Sequence, residues 1–93
     1  MSSKRGRIEI IHDILQIIRD KAGRIKPTQV MYKANLSHQM LGDYLAELIK
    51  KEFIAEKLDK KGGRTYELLE KGYKFLQDYS MIRSFMESYG LND

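Results

Sequence analysis

FIAEKLDKKGGRTYELL, residues 53–69, is the stretch of sequence that decides the fold. Two runs of residues that favour strands flank a tip that reads DKKGGR, residues 59–64. The Gly-Gly pair supplies the positive φ angles that a tight hairpin turn needs. We therefore predict a β-hairpin over this stretch. Three cations lie in its tip: Lys60, Lys61 and Arg64.

An amphipathic helix is predicted directly before the hairpin, over residues 37–51. Its apolar side is formed by residues at helical spacing: Leu41, Tyr44, Leu45 and Leu48. Its opposite side is polar, and Gly42 at the flank of that side allows close approach to a surface. A basic hairpin that follows an amphipathic helix suggests the wing of a winged-helix domain. The pattern points to nucleic acid as the partner, with the N-terminal part of this helix in the major groove.

Two further helices are predicted upstream. The apolar stripe over residues 7–22 is rich in Ile, which indicates a core helix that Gly23 ends as a C-cap. A second, short helix opens with Pro27 in its first turn. Asn35 is predicted to end it in the left-handed conformation, and Ser37 to cap the next helix. Residues 31–36 then form the turn of a helix-turn-helix.

A final helix of about 18 residues is predicted after the hairpin. Apolar residues recur along it with the spacing of a coiled-coil seam: Phe75, Tyr79, Ile82, Met86 and Tyr89. A domain of 93 residues has little core left to cover this surface. We therefore expect this helix to pack against a second copy of the chain.

Composition excludes several classes of site. The chain has no cysteine, and His12 and His38 lie too far apart to form a local ligand pair, so no metal and no cofactor is expected. No catalytic constellation is visible, and we expect no enzymatic activity. The net charge of +4 favours a polyanionic partner. Without an apolar run of membrane-spanning length or a signal sequence, we expect no membrane partner and a cytoplasmic, nucleoid-associated protein.

The order of elements and two local motifs resemble one family. The motifs are MYKANLS at 31–37, followed by Leu41 and Tyr44, and the junction LLEKG at 68–72. Together they look like the small archaeal winged-helix DNA-binding proteins of about ten kilodaltons, first known as Sulfolobus chromatin-type proteins. The resemblance covers roughly residues 7–80. It implies a homodimer joined by antiparallel C-terminal helices, with sequence-tolerant or regulatory binding to double-stranded DNA.

The predicted fold is α+β and mostly α: a winged helix-turn-helix of three helices and a two-stranded β-hairpin wing, with a C-terminal dimerisation helix. We expect a flexible basic arm over residues 1–6, a DNA-binding domain over residues 7–69, and the dimerisation helix and tail over residues 70–93. Lys4, Arg5 and Arg7 would follow a groove, or serve as a solubilising tail.

The candidate DNA contacts are exposed polar and cationic residues of the second helix, the third helix and the wing. They are Thr28, Gln29, Lys33, Ser37, His38, Gln39, Asp43, Lys57, Lys60, Lys61 and Arg64. Gln39 suits adenine and His38 offers one donor or acceptor, whereas Asp43 is repelled by DNA unless it accepts from cytosine or pairs with a cation. Without arginine on this helix, strong specificity is not expected.

Two rival functions stay open at this point. Winged helices also serve as protein-interaction modules in transcription and sorting complexes, and the same basic surface suits RNA. The wing cluster argues against the first rival, because a purely protein-binding wing does not need three cations. The alternatives without a binding function are an ordinary solvated hairpin and a plain solvated helix surface.

Overall fold

Six elements follow one another along residues 5–91, the part of the chain that the computed structural model describes. They are α1 (Arg7–Asp20), α2 (Pro27–Ala34), α3 (His38–Lys50), β1 (Ile54–Leu58), β2 (Arg64–Leu68) and α4 (Glu70–Ser88). The two strands form one antiparallel sheet. The predicted fold class is therefore confirmed. None of the helices in residues 5–91 is long and apolar enough to cross a membrane.

The core is built around α1. Its side chains at Ile14, Leu15 and Ile18 are completely buried, and α2, α4 and β2 all pack against this helix. The helix ends at Asp20, two residues before the predicted end. The chain then reverses because Ala22 and Gly23 both adopt positive φ, at 52° and 77°. A Cβ at position 23 would lie 3.2 Å from the Tyr66 carbonyl oxygen, so this turn also needs a glycine for space.

The helix-turn-helix forms as predicted. Pro27 begins α2, where its missing N–H leaves no hydrogen bond unmade. Asn35 ends α2 in the left-handed conformation, with φ 57° and ψ 52°. Leu36 is buried in the core, and the Ser37 hydroxyl oxygen accepts a hydrogen bond from the Met40 amide at 3.1 Å. These local interactions fix the angle at which α3 leaves the core.

The base of the hairpin is locked to the start of α4. Leu69 donates its amide hydrogen to the Phe53 carbonyl at 3.0 Å. Gly72 is buried against the same carbonyl, and a Cβ at position 72 would lie 2.5 Å from that oxygen. Only glycine therefore permits this close approach. As a result, the direction of the hairpin and the direction of α4 are set together.

Arg7 braces the first turn of α1 against α3. Its guanidinium donates to the Glu47 carboxylate, which also accepts from Lys51 at 2.8 Å. These two cations lower the pKa of Glu47 to about 2. Arg5 is also engaged, through Asp13 at 2.6 Å and the Ala34 carbonyl. Arg5 and Arg7, predicted to follow a groove or to serve as a solubilising tail, therefore contact carboxylates of their own chain in this structure. Lys4 lies outside the described residues.

Candidate nucleic-acid interface

The wing turn is organised by Asp59. Its carboxylate oxygen Oδ1 accepts hydrogen bonds from the amides of Lys61 at 2.9 Å and Gly63 at 2.7 Å. These donors lower the pKa of the Asp59 carboxyl. The Asp59 amide also bonds to the Gly63 carbonyl at 2.8 Å. Together these bonds tie the tip into a defined turn with the side chains of Lys60 and Lys61 exposed.

The two tip glycines have different roles, which the sequence prediction did not distinguish. Gly62 alone adopts the left-handed conformation, with φ 81°. Gly63 does not, but a Cβ there would lie 2.9 Å from the Asp59 carboxylate oxygen Oδ2. The first glycine therefore provides conformation, and the second leaves room for the carboxylate that closes the turn.

The other two wing cations are paired on the strands. Arg64 Nε lies 3.2 Å from Glu56, and Lys57 Nζ lies 2.9 Å from Glu67. Such exposed pairs contribute only about 0–1 kcal/mol, so either cation can change partner. Lys60 and Lys61 form no ion pair within residues 5–91. The tip lysines are consequently the wing charges most available to an external anion.

The outer face of α3 is polar but poor in positive charge. Gln39 and Asp43 are both exposed, one turn apart. The helix carries one cation, Lys50, and two carboxylates, Asp43 and Glu47. The hydroxyl oxygen of Ser37 accepts the hydrogen bond of the helix cap, and its proton stays available for an outside acceptor. This face can form hydrogen bonds to base edges, but it cannot provide much attraction for phosphate.

A groove of about 380 Å³ separates α3 from the hairpin. Three predicted DNA contacts line it from three different elements: Thr28, His38 and Arg64. Gly42 lies on the α3 wall of this groove, and a Cβ at position 42 would meet no atom within 4 Å. Packing therefore does not require glycine here, although glycine inside a helix costs about 1 kcal/mol relative to alanine.

Three other predicted contacts lie away from this groove. Gln29 and Lys33 stand on the side of α2 that faces the end of α1 and the outer face of the hairpin. Glu56 lines the groove, and Lys57 is the next residue along β1. Because neighbouring residues of a strand point to opposite faces, Lys57 points away from the groove. The predicted contact set is thus divided between two sides of the molecule. Sequence reasoning also missed Lys26, whose ammonium reaches Asp59 of the wing turn at 3.8 Å.

The predicted dimer seam on α4 is divided as well. Phe75 packs edge-on against Phe53, with ring centroids 5.9 Å apart, and Tyr79 stacks on His12 at 4.0 Å. Both side chains are therefore partly covered by their own chain. The remaining seam residues Ile82, Met86 and Tyr89 are exposed. Other exposed apolar side chains, not assigned to the seam from the sequence, lie on the same end of the chain: Met81, Phe85 and Leu91.

Helix-turn-helix, basic hairpin and long last helix define a winged-helix protein. A family model described as winged helix-turn-helix matches residues 4–87. The chain belongs to this family. The fold is the one found in winged-helix DNA-binding transcription regulators.

Known proteins that the chain resembles agree with this assignment. Sso10a-2, a DNA-binding protein from Sulfolobus solfataricus, is 28% identical, with a TM-score of 0.69 over 91% of this chain and 88% of that one. This similarity confirms the predicted resemblance to small archaeal winged-helix proteins. MepR, a transcription regulator of the Staphylococcus aureus multidrug efflux pump MepA, shares the fold with a TM-score of 0.77 and 16% identity, over 86% of this chain and 60% of that one.

The chain is also similar to a protein from a second archaeon. An uncharacterized protein of Methanocaldococcus jannaschii is 36% identical over 76 residues, which cover 82% of this chain and 33% of that protein. The chain thus spans about a third of the length of this curated relative, and less than two thirds of MepR. A mutant of MepR has been solved bound to an oligodeoxyribonucleotide.

Gly42 provides a test of the α3 surface. Replacement by Ala or Leu should raise the free energy of unfolding by about 0.5–1 kcal/mol, because both residues favour helix and a Cβ at this position meets no neighbour. The Leu variant should bind duplex DNA about 10-fold more weakly than wild type, because its side chain blocks close approach, and the smaller Ala variant less so. Thermal unfolding and fluorescence anisotropy measure the two effects. Leu-variant binding equal to wild type would exclude Gly42 from the interface.

Proposed function

We propose that the chain is a dimeric, double-stranded DNA-binding regulator or chromatin-associated factor that grips phosphates with its wing. The N-terminal part of α3 lies in the major groove, and the tip at residues 59–64 lies on the backbone or the adjacent minor groove. The observation that carries this proposal is the wing turn, in which Asp59 holds the backbone while Lys60 and Lys61 remain exposed.

The division of charge supports a grip through the wing. Lysine ammonium groups at the end of a hairpin gain affinity by releasing counterions from DNA, and this gain does not depend on base sequence. By contrast, α3 carries more carboxylates than cations and no arginine, the residue most used to read guanine. We infer that α3 fixes the register of the protein on the duplex, through Gln39 and His38, and that the wing provides most of the affinity.

The same geometry gives Asp43 a defined role. Asp43 is exposed on the side of α3 that we propose faces the DNA major groove. A carboxylate there disfavours phosphate and accepts hydrogen bonds from cytosine. Asp43 therefore contributes a weak preference between sequences, not affinity. Duplex DNA rather than RNA is favoured because a helix such as α3 fits the major groove of B-form DNA, whereas the major groove of RNA is deep and narrow.

Two matched pairs of wing variants test the grip. Lys60→Gln/Lys61→Gln should reduce the slope of log K against log salt by about 1.8 units per protomer, since each lost phosphate contact accounts for about 0.9. Lys57→Gln/Arg64→Gln removes the same charge, but both residues are already paired with glutamates. We expect a smaller change in its slope. Anisotropy titrations on random duplex DNA at several salt concentrations measure both slopes.

The same titrations, with double-stranded RNA included, also separate the rival functions. No DNA binding by wild type at low salt would contradict the proposed function and favour a protein-interaction module. Tighter binding to double-stranded RNA than to DNA would favour the RNA rival. Equal slopes for wild type and the Lys60/Lys61 variant would show that the tip does not contact phosphate.

We further propose that α4 joins two copies of the chain. Support comes from the exposed apolar surface on its second half, which is larger than single scattered residues would produce. Its members are Met81, Ile82, Phe85, Met86, Tyr89 and Leu91. The seam is accordingly shifted from the predicted one toward the C-terminal end, because Phe75 and Tyr79 are engaged within the chain. Two-fold symmetry would present two α3 helices to successive grooves about 34 Å apart.

Sedimentation velocity tests the dimer. Wild type at micromolar concentration should sediment with close to twice the 10.9 kDa chain mass, and Phe85→Asp or Ile82→Asp should give monomers, because a charge cannot be buried unpaired at the seam. Tyr73→Asp is the matched control, since Tyr73 is an exposed aromatic residue in the first half of α4, about two turns before the first residue of the proposed seam. A monomeric wild type, or a Tyr73 variant that dissociates as readily, would contradict the proposed seam.

A further inference from the structure

Positive charge is concentrated in one segment that lies outside α3 and the wing. Residues 19–33 contain five cations and one carboxylate, Asp20, a net charge equal to the +4 of the whole chain. The cations are Arg19, Lys21, Arg24, Lys26 and Lys33. Those at the last turns of α1 and α2 also stabilise the helix dipoles. Arg24 and Lys26, however, precede α2, where a cation gains nothing from the dipole.

Most of these cations have no anionic partner in the folded chain. Lys21, Arg24 and Lys33 are exposed, and none lies within 4 Å of a carboxylate oxygen in the part of the chain that the structure describes. Lys26 reaches only Asp59, at 3.8 Å. Lys21, Arg24 and Lys33 are therefore three cations of one segment whose charge no carboxylate of residues 5–91 offsets within 4 Å, which leaves this surface electrostatically unsatisfied.

These side chains form one continuous surface, which we call the lateral face and define by Lys21, Arg24, Lys26 and Lys33. Lys21 and Lys33 line one shallow hollow between α1 and α2. Arg24 and Lys26 line the next, together with Asp59 and Thr65 of the hairpin. Thr65 lies on the hairpin face opposite that of Arg64 and Tyr66, which border the α3 groove. The lateral face therefore starts at the wing turn and extends away from α3.

We propose that the lateral face binds the phosphate backbone of the duplex beyond the segment held by α3 and the wing. This inference rests on the proposed function. The face is continuous with the wing turn through Lys26, so a duplex that passes the wing tip meets these cations next. Flexible lysines and an arginine without internal partners suit a regular line of phosphates, which they attract without reading bases. Contact there draws the flanking DNA toward α2.

DNA length separates this surface from the main interface. We compare a duplex of about 12 base pairs, little more than one helical turn, with one of about 36 base pairs. The variant Lys21→Gln/Arg24→Gln should bind the short duplex like wild type. On the long duplex its salt slope should be shallower than that of wild type by up to about 1.8 units per protomer, two phosphate contacts at about 0.9 each.

The control removes the same charge elsewhere. Lys74→Gln/Arg83→Gln lies entirely on α4 and should leave the difference in slope between the two duplexes as in wild type. Thermal unfolding checks that both double variants are folded. If the control changes the long-duplex slope as much as the lateral variant does, net charge and not this surface is responsible, and the proposal is overturned.

Each remaining outcome also decides the question. Wild-type and lateral-variant slopes that agree on the long duplex exclude flanking contacts. Binding of two short duplexes per protomer, reduced to one in the lateral variant, assigns the face to a second DNA molecule and overturns the flanking proposal. No binding of either duplex by wild type overturns the proposed function itself, which is thereby distinguished from failure of this inference alone.

Discussion

Burial of the isoleucine-rich side of α1 is the constraint on which the rest of the structure depends. A chain of this size has a single modest core, and three other elements pack against α1, which contributes three completely buried side chains. Covering it places α2 beside α1, brings β2 against its C-terminal half and starts α4 along it. The direction of α3, set by the turn after α2, and the position of the wing then follow from how this core is closed.

The distribution of charge connects this structure with the proposed binding of DNA. Helix α3, which we propose enters the major groove, carries more negative than positive charge. By contrast, the wing turn and the surface beside it carry several cations that form no ion pair within residues 5–91: Lys21, Arg24, Lys33, Lys60 and Lys61. A protein built in this way gains affinity from phosphates and little from bases. We therefore propose that the wing grips phosphates and does not read bases, and that this small domain widens its contact with DNA by placing its cations outside α3.

Local signals made much of the fold predictable. Asn35 as a left-handed terminator, Ser37 as a cap and the Gly-Gly turn each act within a few residues, and the spacing of apolar residues in α1 and α3 reports burial directly. The hairpin was likewise predicted because its strand and turn residues are adjacent. Even so, the distinct role of Gly63 depends on the carboxylate of Asp59, which only the folded turn reveals.

Interactions between distant residues were not predictable. The pairing of Arg7 with Glu47 joins residues 40 positions apart, and the stacking of Tyr79 on His12 depends on the angle between α1 and α4. Nothing in helical spacing distinguishes a seam residue that meets its own chain from one that meets a partner. For the same reason, Gln29 and Lys33 were grouped with His38, although α2 presents them on another side of the molecule.

The specificity ratio of DNA binding tests the central claim most directly. Affinities for a panel of unrelated duplexes of equal length, measured by anisotropy at one fixed salt concentration near the physiological value, should agree within about 10-fold, because phosphate contacts dominate. Sequence-specific binding of the usual kind would instead show one duplex bound at least about 10³-fold more tightly than the rest. Such a result would mean that α3 reads bases strongly, and it would contradict the account of the wing as the principal source of affinity.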